Sequence, residues 1–330
     1  MTVYAYSLTS VRLEFPMCTL LEGYSQQAIV EITSFPGVTL RPITISQRSG
    51  IFEKFRREQD YGMLAPHLER THCELVIDES EWIEYFGDEY TKLNAEEKMA
   101  NIDNVAHSFL TLLRFRGCSH FIVPIAIRGS SFGELKTAPD HSVDAQFYPA
   151  QNLIQPSLPP VKPRLLSMDD VEWACKFHHS FAEMMYKSNI TFVIDVFNAI
   201  YHPNPTVQLI MIWATIEAIT KPTEHEENKS GIRHSIRSRA AAILCDSAEE
   251  MKKKYDDIGV LYDLRSSASH GKDKFSSVEL QKENFDDLVG SFSLLKDLLI
   301  RIVENNHLPN FEELEELQSR YEKMCPFKEE

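Results

Sequence analysis

Arg265 and His270 stand five positions apart and carry side chains suited to phosphodiester chemistry. A guanidinium is always charged and presents a fork of donors that matches a phosphate, while an imidazole exchanges its proton near neutral pH. Both lie in the stretch YDDIGVLYDLRSSASHG, from Tyr255 to Gly271. Ile258, Leu261, Tyr262 and Arg265 fall at i, i+3, i+4 and i+7, so one helix face holds apolar residues and then the arginine. In a regular helix His270 points about 140° away from Arg265. Gly271 is a natural stop, so the pattern predicts His270 in the last turn or just beyond it, where the backbone can turn the ring toward the guanidinium. Taken alone, R-x4-H favours a simpler account, in which both residues complement the dipole of a helix C-terminus.

The helices that must hold this pair are legible around it. Asn204-Pro205 gives an N-cap followed by Pro at N1, opening a hydrophobic helix that runs to Thr220. Inside it Glu217 is a carboxylate among apolar neighbours, which is costly unless paired. A cation such as Arg265 or Arg239 is its expected partner, ahead of a direct catalytic role. A polar loop precedes a basic helix over 231–245, where Arg233 and Arg237 share a face at i and i+4 and Arg239 follows. Ser276 and Glu279 read as the capping box of a long helix burying Phe285, Leu288, Phe292, Leu295, Leu299 and Ile302. Ser167 caps an earlier helix, an apolar helix spans 191–201, and Phe311 to Met324 forms a last acidic one. Residues 165–330 are thus expected to form an all-α bundle of antiparallel, up-and-down helices.

The first 150 residues read differently. Segments at Val3–Phe15, Ala28–Phe35, Val38–Ile45, Cys73–Asp78 and Phe121–Ile127 have the Val, Ile, Thr and Tyr content of strands, with a turn at Pro36-Gly37. Residues 46–61, with Arg48, Lys54, Arg56 and Arg57, read as a solvated turn and short helix. Asn94 to Arg116 is a helix with a capping box at Asn94 and Glu97 and a stop at Gly117. Prolines 149, 156, 159, 160 and 163 then break regular structure. The expected organisation is α+β: a strand-rich mixed α/β domain over 1–150, a Pro-rich linker over 151–164, and the helical domain over 165–330.

Composition bounds the function. The 330 residues carry a formal net charge of −15, which argues against a protein that coats nucleic acid without specificity. Local basic stretches remain at 229–239 and 252–254. The cysteines are scattered without a C-x2-C pair, so neither a zinc site nor a disulfide framework is expected; His107 and His120 lack a spaced third ligand. No cofactor or metal is expected. The N-terminus lacks the basic and apolar regions of a signal peptide, and the most apolar run, Val207 to Ile219, is too short to span a membrane. A cytoplasmic protein is the expectation.

IWATIEAIT (212–220), IRHSIRSRAAAILC (232–245) and IGVLYDLRSSASHG (258–271) together resemble the HEPN superfamily, and within it the ApeA-like branch, over Leu165 to Leu308. The resemblance implies a metal-independent endoribonuclease that dimerises so that two R-x4-H motifs border one cleft. It makes Arg265 and His270 the catalytic residues, with Ser266 where many members carry Asn, Asp or His. Ser269 and Ser266 are placed to hydrogen-bond the phosphate or orient the ring. Tyr262 is read as stacking a base or as packing in the core. Arg233, Arg237 and Arg239 are candidate RNA contacts, a solvated face being the equal alternative for the first two. Such proteins serve bacterial toxin, abortive-infection or anti-phage systems, which would make 1–150 a sensor of some trigger or a restraint. The competing reading is a non-catalytic HEPN module that dimerises or binds a partner.

Overall fold

The computed structural model describes residues 3–9, 11–13, 30–31, 35–43, 71–116, 125–132, 134, 144–147, 164–187, 190–200, 204–221, 229–269 and 285–326. It shows an α+β protein of two compact units, Met1–Ile154 with Pro159–Ala182, and Gln155–Leu158 with Glu183–Glu330. The described strands fall in the first unit together with three helices, and the remaining helices form the second.

The first unit is built on a six-stranded antiparallel sheet of β1 (Val3–Thr9), β3 (Val30–Glu31), β4 (Val38–Pro42), β5 (Thr71–Asp78), β6 (Ile125–Arg128) and β7 (Asp144–Phe147), in the order β3-β4-β5-β1-β6-β7. A separate parallel pair joins β2 (Val11–Leu13) to β8 (Arg164–Leu166). β5 lies between two partners, and Cys73, Leu75 and Ile77 are wholly buried. Glu74 is equally buried, which is tolerable because Arg41 Nε donates to one carboxylate oxygen at 3.0 Å and the Phe132 amide to the other at 2.7 Å.

β5 runs straight into α1 (Glu79–Lys92), capped by Asp78, whose carboxylate accepts from the Ser80 amide at 2.9 Å. No sequence signal read above announces this helix, and Gly87 at φ 59° breaks it internally. α2 (Ala95–Arg116) has the expected reciprocal capping box: the Glu97 amide donates to Asn94 Oδ1 at 3.0 Å, and the Asn94 amide to Glu97 Oε2 at 2.9 Å. Ile102, Val105, Ala106, Phe109, Leu112 and Leu113 form its buried stripe. α3 (Met168–Lys187) opens on the expected Ser167 cap, bonded to the Asp170 amide at 3.2 Å. This helix follows the Pro-rich segment, yet belongs to the first unit as far as Ala182. There His178 is wholly buried between Phe35 and Phe109, with Nε2 2.8 Å from Ser108 Oγ and 3.1 Å from the Val105 carbonyl.

The second unit holds α4 (Ile190–Ala199), α5 (Pro205–Thr220), α6 (Lys229–Leu244), α7 (Ala248–Ser269), α8 (Phe285–Asn305) and α9 (Phe311–Met324). α5 is its centre and packs on α4, α6, α7 and α8, burying Leu209, Ile212, Trp213, Ile216 and Ile219 completely. Asn204 accepts from the Thr206 amide at 2.8 Å with Pro205 next, as the sequence indicated. The predicted inner face of α8, from Leu288 through Phe292, Leu295 and Leu299 to Ile302, is buried, and Phe292 stacks on Phe197 of α4. The capping pair expected at Ser276 and Glu279 lies outside the described residues, as do residues 46–61, His120 and Gly117. α9 begins with an Asn310–Glu313 capping box, and its Tyr321 joins Ala241, Ala242, Cys245, Met251 and Tyr255 in a cluster shared by α6, α7 and α9.

Candidate functional site

α7 carries the candidate arginine near its C-terminal end. Ile258 is buried, whereas Leu261, Tyr262, Arg265 and Ser266 are half-buried, so the face predicted from their spacing emerges gradually toward the surface. Trp213 of α5, fully enclosed, meets the Tyr262 ring edge-on at 5.3 Å between centroids. The Arg265 guanidinium carbon lies 5.6 Å from the centre of the same Tyr262 ring, one turn back. Of the two roles considered for Tyr262, packing is the one these contacts display.

Arg265 Nη2 stands 2.8 Å from Glu217 Oε1, with 29% of the arginine side chain and 25% of the glutamate side chain exposed. The contact is a charge pair between neighbouring helices. Burial pushes the Glu217 carboxyl above its ordinary value, and the Arg265 charge pulls it partly back. Of the two cations that the sequence offered to Glu217, the fold selects Arg265.

The three arginines of α6 have separate structural engagements. Arg233 Nη2 donates to Asp263 Oδ2 at 2.7 Å and to the Gly259 carbonyl at 3.2 Å. The Arg237 guanidinium carbon lies over Tyr255, 3.6 Å from the ring centre, while its Nε donates to the Tyr255 carbonyl at 2.8 Å. A Cβ at Gly259 would fall 2.6 Å from the Arg237 guanidinium, so the small residue lets α6 and this arginine close on α7. Arg239 is 1% exposed; its Nη1 donates to the Thr220 carbonyl at 3.0 Å and to the Lys221 carbonyl, and its Nε to Gln318 at 3.0 Å. It closes the C-terminal end of α5, a use that its place in a basic run did not signal. Arg239 is therefore a buried brace, and Arg233 and Arg237 are lodged between α6 and α7.

His234, which no functional reading of the sequence singled out, lies 2.9 Å from Tyr255 Oη through Nδ1 and 3.2 Å from Glu322 through Nε2. Ser269 is the last residue of α7, and its side chain, like His270, lies outside the described part of the structure. Among the described residues no group of three or more His, Cys, Asp or Glu is arranged to hold a metal ion, and no helix is long and apolar enough to cross a membrane. Comparisons with protein-family models, curated proteins and solved structures give no match to this chain.

Proposed function

We propose that the second unit is a metal-independent endoribonuclease of the HEPN kind, acting through Arg265 and His270. The observation that carries this reading is the Arg265–Glu217 pair: a guanidinium held by a carboxylate of the neighbouring helix, part-exposed, one turn before the helix ends next to His270. The likeness of residues 212–271 to that family's motifs is its other support.

The reaction is attack of an RNA 2′-hydroxyl oxygen on the adjacent phosphorus. The O–P bond forms, the bond to the 5′-oxygen of the next nucleotide breaks, and the 2′-hydroxyl proton passes to a base while the leaving oxygen gains one. Only RNA supplies this internal nucleophile. His270 moves a proton, a contribution typically worth about 10²–10⁴-fold. Arg265 holds the phosphate and stabilises charge growing on its oxygens. Glu217 keeps the guanidinium aimed, and Ser266 and Ser269 assist as donors. The products carry 2′,3′-cyclic phosphate and 5′-hydroxyl ends.

A symmetric dimer supplies the second acid–base group, because an isologous interface brings His270 from each copy to one cleft. α5 supports this: it is apolar on nearly every side, yet Ile210 is 42% exposed and Ala214 is open as well, on the face that ends at Glu217. In this reading the protein acts in the cytoplasm against a target RNA, in a toxin or anti-phage role, with the first unit answering a trigger.

The engagement of Arg233, Arg237 and Arg239 inside the unit favours the second reading, a non-catalytic HEPN module in which Arg265 belongs to a structural polar network. Incubating the purified chain with RNA and EDTA, beside Arg265→Ala and His270→Ala, separates the two. Cleavage that survives chelation, leaves cyclic phosphate ends and is lost in both variants supports the nuclease. Identical behaviour of all three proteins puts the binding module first.

A further inference from the structure

Away from Arg265, the second unit has a half-open cavity of about 250 Å³ where α6, α8 and α9 meet. Ile243, Ile302 and Leu317 supply apolar lining, and Arg301, Arg320 and Asp246 supply charge. Two guanidinium groups share one carboxylate. Arg301 Nη2 is 3.3 Å from Asp246 Oδ2, and Arg320 Nη2 is 3.6 Å from Oδ1 and 3.2 Å from the Asp246 backbone oxygen. The Asp246 side chain is 79% exposed, so both pairings are screened by solvent and weak. Arg301 Nε is shielded from solvent and has no hydrogen-bond partner. His307, also in the lining, lies 2.6 Å from Glu313 through Nε2.

The plainest account of two arginines here is that they complement the C-terminal ends of α6 and α8, whose last turns line the cavity. That accounts for the charge, but not for surplus donors beside an apolar hollow. A guanidinium has five N–H donors, and the contacts above occupy only some of them. Two such forks at one point suit a dianion better than a single carboxylate, and a phosphomonoester carries about −1.5 to −2 near neutral pH.

We propose that this cavity binds a small organic phosphomonoester, with Arg301 and Arg320 on the phosphoryl group and Ile243, Ile302 and Leu317 against the organic part. Asp246 then competes with the ligand for the same donors. The site stands whether or not Arg265 cleaves RNA.

Isothermal titration of the full chain with phenyl phosphate, and separately with inorganic phosphate, tests it. The expected result is saturable single-site binding, tighter for phenyl phosphate because of the apolar lining. Arg301→Gln and Arg320→Gln each weaken phenyl phosphate binding roughly tenfold or more, the loss of a charge-assisted bond. Asp246→Asn tightens it several-fold, a gain that a folding defect cannot produce. No saturable binding of either probe at millimolar concentration overturns the proposal. Equal affinity for both probes does so too, since it leaves an adventitious anion contact only. Undiminished binding in the arginine variants, or no gain in Asp246→Asn, equally shows that the arginines serve only as braces for the helix ends.

Discussion

Arg265 Nη2 and Glu217 Oε1 meet at 2.8 Å across the α5–α7 packing, and the carboxylate is held there against its own solvation preference. Because burial raises the Glu217 pKa above its ordinary 4.5, the native state binds that proton more tightly than the unfolded chain. Ionisation therefore costs stability as pH rises from the ordinary value through the raised one. Glu217→Gln removes that cost while releasing Arg265. Its thermal stability is expected to equal or exceed that of the unchanged chain, within about 1 kcal/mol. Under the proposed reaction, RNA cleavage falls on the order of 10–100-fold as the guanidinium loses its aim. A variant that melts much earlier would make the pair structural.

Arg239→Met tests the opposite case, a cation wholly committed to the fold. It strands the Thr220 and Lys221 carbonyls and Gln318, in a site that is 1% exposed. The expected cost is about 2–4 kcal/mol by denaturant titration. Arg239→Lys should restore only part of it, because a single ammonium cannot span acceptors on two elements as the fork does. Unchanged stability with weakened RNA binding would return Arg239 to the nucleic-acid surface.

His178 sets an acid limit on the first unit. Desolvation lowers its pKa from 6.5 to about 4, with His179 adding to the shift and the Val105 carbonyl opposing it. The unfolded chain takes up this proton at higher pH than the native one, so stability is intact above about pH 6.5 and drains away as pH falls toward 4. The full loss is about 3 kcal/mol. Thermal melts across this range should show a declining first-unit transition, and His178→Gln should flatten the slope even if it lowers every midpoint.

Gly37 sits at φ +66°, and a Cβ there would lie 2.7 Å from the Asp78 carbonyl oxygen, a backbone atom fixed at the β5–α1 junction. Gly37→Ala meets both obstacles and should cost about 1–3 kcal/mol in a thermal or denaturant melt. No loss would mean the turn has room to rearrange.

The sequence by itself determined the features whose physics is local. The Asn94, Ser167 and Asn204 caps, the buried stripe of α8 from Leu288 to Ile302 and the extent of α9 depend on hydrogen bonds or periodicity within a few residues, and they stand as read. α1 escaped because it begins directly on a strand and contains an internal glycine break, so neither a loop nor an unbroken stripe marks it. β7 escaped because four residues, Asp144–Phe147, are too few for a pattern. In the candidate site, the burial cost of a carboxylate in an apolar helix foretold that Glu217 has a cationic partner. Whether that partner is Arg265 or Arg239 was left to tertiary packing, since both arginines lie on helices adjoining α5. Packing placed Arg239 beneath the end of α5 and Arg265 beside Glu217. A row of arginines looks alike along a chain, and only the neighbouring carbonyls and rings, brought from distant segments, decide which ones a fold consumes.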